Sequence, residues 1–417
     1  MGELLELADR YWQGTAADGH PWKVTGKYEE IADGLFFVHV FANVSVLRTD
    51  EGLVLIDTGA WLGRDRTFGL VRRIDPSRLH TAIYTHGHAD HAFGLPPFLE
   101  EANTKGLPRP RIVGHENVSA RFERYRKTHG YNATINARQF STPASWPTEF
   151  DAPDTTYQHD LRLEVGGLAL ELHHARGETD DHTWVFLPQR RILFTGDQFI
   201  WVTPNAGNPQ KVQRYAADWA LSLREMARLA PEVLVPGHGL PIVGAERARK
   251  ALTDTAEWLE HLERETVARM NAGLSLDAIL EEVRPPAHLE GRPYLQAVYD
   301  EPDYVVRNVW RLYGGWYDGI PSHLKPAPEA ELGAEVAALA GGIDALVARA
   351  RAVAQAGNLR LACHLADWAV FADPGSRAAH AARAEIYEAR TAESRALMTR
   401  GIFGAAARES GDKAKGA

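Results

Sequence analysis

The sequence predicts an α/β fold in which two mixed sheets pack face to face with helices outside, followed by an all-helical part. From about residue 30 to 250, short apolar runs typical of strands alternate with helical or turn-rich stretches. Beyond about residue 245 the pattern becomes almost purely helical. Because the strands come in two batches that each carry helices, we expect a sandwich of two sheets.

The first batch of strands leads into a polar cluster. Its predicted elements are strands at 35–40, 44–47, 53–56 and 81–85 and a helix at 64–74. The third strand ends in Asp57 and a glycine turn, and the last runs directly into the segment 86–91. That segment, HGHADH, places three imidazoles and one carboxylate within six residues.

A second batch follows a less regular stretch. Its predicted elements are strands at 161–165, 168–173, 183–187, 192–195 and 233–235 and a helix at 216–229. The stretch from about 104 to 160 contains several prolines and many aromatic residues. We expect it to be an irregular insertion that offers substrate contacts.

The remaining chain predicts a compact helical bundle. Its expected helices are 248–270, 276–283, 305–313, 330–339, 343–356, 360–372 and 377–400. Alanine-rich helix pairs resemble a tetratricopeptide-like hairpin, but the repeats are too few for a solenoid. The polar tail, 409–417, is expected to be frayed.

Composition excludes several classes of partner. The net charge is −9, and no Lys/Arg cluster is interleaved with aromatic residues, so we expect no nucleic acid or membrane partner. No run is long enough to span a bilayer, and the first residues are acidic, unlike a signal peptide. The single cysteine, Cys363, lies in a helical segment and predicts a packed thiol in a reducing compartment. We therefore expect a cytoplasmic protein. Its 417 residues indicate two or more domains.

The histidine-rich segment predicts a metal site. Alternate residues of a strand share a face, so His86 and His88 can point towards one ion. A turn after Ala89 would bring Asp90 and His91 to a neighbouring position. Imidazole nitrogen with carboxylate oxygen suits zinc or another borderline divalent metal.

Three later strand ends supply further candidate ligands. Glu178, Asp197 and His238 each stand beside a glycine, just past a predicted strand. Singly each is a weak signal, because Gly-Asp and Gly-His turns are common. Together with the first cluster, and in this order along the chain, they form a strong signal for a metal site.

In these residues the chain resembles the metallo-β-lactamase superfamily of binuclear metallohydrolases. The resemblance implies an αββα sandwich that holds two metal ions, here expected to be Zn²⁺. The implied ligands are His86 and His88 for the first metal, Asp90, His91 and His238 for the second, and Asp197 for both. Asp57 would be a buried structural carboxylate.

Glu178 departs from the common pattern, because most members carry a histidine after a Pro-Gly pair where this chain has Gly177-Glu178. Glu178 is then the expected third ligand of the first metal. A glutamate here resembles the alkylsulfatase branch of the superfamily. The added negative charge should weaken the Lewis acid and make the bound water slightly more basic.

The carboxyl-terminal half resembles the dimerisation domain of the same branch. The runs 313–321 (YGGWYDGIP) and 371–374 (FADP) carry that resemblance. It implies a homodimer, with a catalytic domain at 1–270 and a helical dimerisation domain at 271–417. The branch uses glutamate where this chain has Asp197. The sequence stops before a further lipid-binding-like domain, so we expect little selectivity for long alkyl chains.

The implied function is hydrolysis of small-molecule sulfate esters, with phosphate esters as further candidates, by a water activated between two metals. The alternative is a hydrolase of carbon esters, namely a lactonase, thioesterase or β-lactamase-like enzyme.

Substrate contacts are expected between Asp197 and the next helix. The candidates there are Asn205, Asn208, Lys211 and Arg214. Arg214 is favoured because its distance before Trp219 matches the family and a guanidinium fork suits a tetrahedral oxyanion; the alternative is a surface charge at a helix start. Asp90 and His182 complete the catalytic candidates, with His182 either supporting a ligand or contacting substrate.

Aromatic residues near these segments have two possible roles. The candidates are Trp201, Phe199, Tyr125 and Tyr131. They could wall an apolar pocket or belong to the core, and the sequence leaves both open.

Overall fold

The computed structural model describes residues 2–16 and 20–416. The strands are β1 (Tyr28–Ala32), β2 (Leu35–Val38), β3 (Val44–Thr49), β4 (Gly52–Ile56), β5 (Leu79–Ile83), β6 (Arg111–His115), β7 (Thr155–Tyr157), β8 (Asp160–Val165), β9 (Leu168–His174), β10 (Thr183–Leu187), β11 (Ile192–Gly196), β12 (Val233–Pro236) and β13 (Ile242–Val243). The helices are α1 (Glu3–Trp12), α2 (Arg64–Ile74), α3 (Pro96–Thr104), α4 (Asn117–Lys127), α5 (His129–Phe140), α6 (Ala216–Arg228), α7 (Ala245–Asn271), α8 (Leu276–Glu282), α9 (Pro302–Gly314), α10 (Pro321–Leu324), α11 (Glu329–Ala340), α12 (Ile343–Gln355), α13 (Leu359–Ala372), α14 (Arg377–Glu393) and α15 (Leu397–Lys415).

The described strands form two mixed sheets. The first runs β1-β2-β3-β4-β5-β6-β7 and the second β13-β12-β11-β10-β9-β8. One buried cluster joins their inner faces, with Val54 and Ile83 from the first sheet and Leu172 and Phe194 from the second. The predicted face-to-face packing is therefore confirmed.

Helices cover both outer faces. Leu70 of α2, Phe98 of α3 and Phe122 of α4 pack on the first sheet, in a cluster that also contains Leu55. On the second sheet, α6 and α7 pack in another cluster, which contains Trp219. This helix–sheet–sheet–helix order is the sandwich that the sequence predicts.

Parallel pairing brings the ligand-bearing loops to one edge. Strand β4 pairs in parallel with β5, with Ile56 opposite Ile83, so the segments after both strands emerge together. In the second sheet β11 pairs in parallel with β12, with Gly196 opposite Pro236. The two sheets meet at this edge, where the Thr183 N–H donates to the Thr85 carbonyl at 2.6 Å.

Two expectations about regularity are wrong. The stretch 104–160 contains β6, α4, α5 and β7, and its longest run without regular structure is 141–154, where three of its five prolines lie. Helix formation there is explained by buried apolar side chains, such as Val118 of α4 and Ile135 of α5.

The end of the chain also differs from expectation. The predicted helix 377–400 is interrupted at Ser394, whose backbone is extended, and a new helix, α15, continues to Lys415. The tail is ordered because it packs against α14. Ser410 is buried there and contacts His380 and Arg383.

The first part of the helical half shares a core with the second sheet. One cluster contains Leu252 of α7, Ile279 of α8 and Val305 of α9, whereas α11 to α15 form clusters of their own. The division at residue 270 therefore stays a prediction. Cys363 is buried in one of these helical clusters, as expected, and burial raises the pKa of its thiol to about 11. Within residues 2–16 and 20–416, no helix is both long and apolar enough to cross a membrane.

Candidate metal centre

All seven expected metal ligands converge at the edge where the strands end. They form two groups, His86, His88, Glu178 and Asp197 in the first, and Asp90, His91 and His238 in the second. Within each group the ligand atoms lie within 4.8 Å of one another. The grouping is the one that the sequence predicts.

The first group is built around one oxygen of Glu178. Its Oε2 lies 3.6 Å from Nε2 of His86 and 3.4 Å from Nδ1 of His88. Burial together with the nearby His91 holds the pKa of His86 well below its usual range.

The second group is built around Asp90. Its Oδ2 lies 3.7 Å from Nε2 of His91 and 3.4 Å from Nε2 of His238. Both rings therefore turn the same nitrogen towards one carboxylate, and Asp90 is the most exposed member of this group.

Asp197 faces both groups. Its Oδ1 lies 3.2 Å from His91 Nε2, and its Oδ2 lies 3.5 Å from His238 Nε2 and 3.9 Å from His86 Nε2. A single carboxylate in this place can contact two cations at once.

Unpartnered buried atoms show that the residues fit divalent cations. Glu178 Oε2, Asp197 Oδ1 and His91 Nε2 are buried, and none has a hydrogen-bond partner. Buried polar atoms without partners are costly and rare in folded proteins. A nitrogen and oxygen set without thiolates suits zinc and similar metals, so this cluster fits a pair of such ions.

Asp57 orients one of the ligands. Its Oδ2 accepts a hydrogen bond from His91 Nδ1 at 2.7 Å, and its Oδ1 accepts the Thr85 N–H at 2.7 Å. The contact fixes the His91 ring so that Nε2 faces the site. Asp57 thus has the buried structural role expected for it.

His182 supports the site from behind. Its Nε2 accepts the Asp197 N–H at 3.0 Å, and its ring stacks on His86 with centroids 5.0 Å apart. The residue is fully buried, and burial lowers its pKa to about 4. Of its two expected roles, the structure favours support of a ligand over substrate contact.

Arg214 is held beside one of the expected metal ligands. It is not a surface charge, because it is buried and its Nη1 lies 2.5 Å from Glu178 Oε1, and its contact with substrate stays a prediction. Asn205 Nδ2 donates to the same oxygen at 2.5 Å. Burial alone would raise the pKa of Glu178, but Arg214 and His88 hold it well below its usual range. Arg214 thus supplies the counter-charge that a buried carboxylate needs.

Two other candidates, Asn208 and Lys211, lie on the same loop. Asn208 is buried, with its Nδ2 3.6 Å from the Met398 sulfur. Lys211 is partly buried within the electrostatic field of Asp90 and Glu178, and burial lowers its pKa to about 8.

Two family models match the chain. Residues 38–238 match the metallo-beta-lactamase superfamily, and residues 275–413 match alkyl sulfatase dimerisation. The chain therefore carries a metallo-β-lactamase superfamily domain and an alkyl sulfatase dimerisation domain. Both resemblances seen in the sequence are thereby confirmed.

Alkylsulfatases are among the relatives of this chain. A linear primary-alkylsulfatase of Pseudomonas sp. (strain ATCC 19151) is 27% identical over 82% of this chain and 69% of its own. An (R)-specific secondary-alkylsulfatase of Pseudomonas sp. is 30% identical over 83% of this chain and 56% of its own. A solved double mutant of the sec-alkyl sulfatase PisA1 has a TM-score of 0.84 and 25% identity, covering 92% of this chain and 65% of that one. The chain thus spans roughly six tenths of the length of these relatives.

Sequence reasoning missed the aromatic wall of this metallo-β-lactamase site. Trp22 stacks on His238 with ring centroids 4.8 Å apart, and its ring contacts that of Tyr299 at a tilt of 42°, with centroids 4.7 Å apart. Phe41, which is 44% exposed, meets His238 edge-on at 5.4 Å and Phe140 at 6.4 Å. These residues come from four distant segments, so no local pattern could have indicated them.

The aromatic residues considered from the sequence lie elsewhere. Trp201, Phe199 and Tyr125 are buried in the cores, and Tyr131 is exposed on α5. The sequence left open whether they wall a pocket or belong to the core, and the structure places Trp201, Phe199 and Tyr125 in the core.

Proposed function

We propose that the protein is a binuclear metal-dependent hydrolase of small-molecule sulfate esters. The observation that carries this proposal is the pairing of the two-group ligand cluster with an alkyl sulfatase dimerisation domain in one chain. Similarity to alkylsulfatases along more than four fifths of the chain supports it.

In this proposal Zn²⁺ is the metal at both positions. The ligand roles follow the two groups, with His86, His88 and Glu178 for the first ion, Asp90, His91 and His238 for the second, and Asp197 for both. When bound, such a pair polarises ester oxygens and lowers the pKa of a water from about 15.7 towards 7. His182 and Asp57 keep the ligand rings in place.

The chain's own residues would bind and orient the ester. Lys211 would attract the anionic head group, the role expected of Arg214, because its ammonium lies in the field of both ligand groups. Trp22 and Phe41 offer apolar surface beside His238 for the organic group. Aromatic faces bury much apolar area with little loss of conformational entropy.

A substrate panel tests the proposal. Purified protein with measured metal content would be assayed with an aryl sulfate, an alkyl sulfate, a phosphate monoester, a lactone and a thioester. We expect turnover of a sulfate ester that is lost in Asp197→Ala. Full metal content with turnover of only the lactone or the thioester would contradict the proposal and favour the carbon-ester alternative.

We further propose that the protein is a cytoplasmic homodimer whose dimerisation domain lies within 271–417. The matched dimerisation model supports the dimer. Apolar side chains from the end of α9 to α10, including Tyr313, Trp316 and Leu324, are exposed and could be covered by a second copy. The lone buried cysteine is consistent with a reducing compartment.

A further inference from the structure

The position of Glu178 depends on a loop without regular structure. The segment 203–214, here called the positioning loop, links β11 to α6. Its Asn205 and Arg214 both hold Glu178 Oε1 at 2.5 Å, while Oε2 faces His86 and His88. The loop therefore determines which oxygen of Glu178 points at the first metal position.

The helical half anchors the beginning and the middle of the positioning loop. The buried Asp300 accepts the Gly207 N–H on Oδ2 at 3.0 Å, and its carbonyl accepts the Thr203 hydroxyl at 3.0 Å. The Thr203 N–H donates to the Gln296 carbonyl at 3.2 Å. Gly207 lies so close to α9 that an added Cβ would be 2.1 Å from the Tyr304 carbonyl carbon.

The end of the positioning loop is anchored to the same helix. Asn308 of α9 is buried, and its Nδ2 donates to the Arg214 carbonyl at 2.8 Å. Gln213 Nε2 donates to the Asn308 carbonyl at 3.1 Å. These anchors come from residues 296–308, near the start of the helical half.

We propose that Asp300 and Asn308 are positioning residues for the metal centre, acting on Glu178 through the positioning loop. The start of the helical half is then part of the machinery that loads the first metal. Because coupling between sites is reciprocal, a metal held by His86, His88 and Glu178 also stabilises the docking of α9 on the loop.

The expected effect is a loss of metal affinity at one of two positions. Residues that orient a metal ligand typically contribute about 10–100-fold to affinity. In Asp300→Asn one of two N–H groups, that of Gly207 or of Glu301, loses its acceptor. Asn308→Ala removes the contact to Arg214. We expect each variant to bind one zinc ion at least about tenfold more weakly while the other ion is unaffected.

A matched control lies in the same helical half. Asp367 accepts hydrogen bonds from Arg383 and Tyr387 within the α13–α14 pair, and neither partner belongs to the positioning loop. Asp367→Asn makes the same chemical change as Asp300→Asn, so it should leave both zinc affinities unchanged.

The experiment is a competitive zinc titration of the full chain against a chelator. Metal stoichiometry is measured on the same samples, and circular dichroism checks that each variant is folded. Glu178→Gln is added alone and in combination with Asn308→Ala, because residues acting through one ligand should be non-additive. Wild-type affinities in both positioning variants, equal weakening in Asp367→Asn, or full additivity would overturn the proposal. Should Asp300→Asn fail to fold, Asn308→Ala and the isosteric Thr203→Val decide the outcome. The inference depends on the proposed metal site but not on the ester, so zinc coupling without sulfatase activity would contradict only the proposed function.

Discussion

At the scale of single residues, Glu178 and Arg214 act as one unit. A carboxylate in place of imidazole adds a negative charge to a buried site, and an unpaired buried charge is costly. Arg214 and Asn205 meet that charge on Oε1, which leaves Oε2 free to face His86 and His88. A substitution of Glu178 should therefore be tolerated only if Arg214 is substituted with it.

This dependence predicts the behaviour of a ligand swap. Glu178→His installs the more common ligand but leaves Arg214 buried without its partner, so we expect a loss of about 3–5 kcal/mol in the free energy of unfolding. Glu178→His combined with Arg214→Met should recover most of that loss. Urea unfolding of the metal-free proteins measures both. If Glu178→His alone were as stable as the wild type, Arg214 would not need a buried counter-charge.

Lys211 predicts a pH dependence of substrate binding. Burial lowers its pKa from 10.5 to about 8, while Asp90 and Glu178 oppose that shift. The ammonium is present below pH 8 and lost as the pH rises through 8. We expect the KM for a sulfate ester to rise about tenfold above that pH, which is the effect of losing about 1.4 kcal/mol of binding.

Arginine provides the control for this titration. Lys211→Arg keeps its charge to much higher pH, so the rise in KM should move upward or vanish. Lys211→Met should show the high KM at every pH. A KM profile that is unchanged in Lys211→Met would exclude contact between Lys211 and the ester.

At the scale of elements, the sequence was most informative where strands are buried on both faces. The apolar runs of β4 and β5 and the polar residues after them are legible because a buried parallel strand reads as a continuous hydrophobic run. The helices α4 and α5 were missed because nearby prolines masked their pattern. The pairing of Arg214 with Glu178 was not predicted, because it depends on how the positioning loop folds against α9, about a hundred residues further along the chain.

One buried ion pair ties three elements together at the site. Arg121 of α4 holds Asp181 at 2.8 Å and also pairs with Asp180. Asp181 Oδ2 accepts the Gly87 N–H at 2.9 Å. The insertion helix, the Glu178 segment and the first histidine segment are therefore linked through one carboxylate.

Asp181→Asn should loosen all three elements. The buried Arg121 would lose the buried one of its two carboxylate partners and keep only the exposed Asp180. We therefore expect a loss of about 3 kcal/mol in unfolding free energy together with weaker zinc binding. Glu123→Gln in the same helix, where Glu123 pairs with Arg126 at the surface, is the control and should change stability by less than about 1 kcal/mol. Equal effects of the two substitutions in thermal and denaturant unfolding would contradict the linking role.

At the scale of the whole molecule, the catalytic and helical parts share more than a linker. Val305 and Val309 of α9 lie in the same buried cluster as Trp219 and Leu252, and α9 anchors the positioning loop. The helical half therefore has an inner portion that completes the metal site and an outer portion, beyond α9, with clusters of its own.

We expect the dimer interface to lie in the outer portion of the helical half and the end of α9. The exposed apolar residues Tyr313, Trp316, Ile320 and Leu324 fall within twelve consecutive residues, and exposed patches of this kind commonly mark protein interfaces. If a second copy covers them, charges placed there would be buried without partners, so we expect Trp316→Arg with Leu324→Arg to give a monomer. Leu62→Arg, at an exposed leucine of the catalytic part, is the control and should leave the dimer intact. Sedimentation at micromolar concentration measures both. The positioning loop is anchored by α9 rather than by this patch, so the monomer should still bind two zinc ions. A dimer that survives the double substitution would place the interface elsewhere.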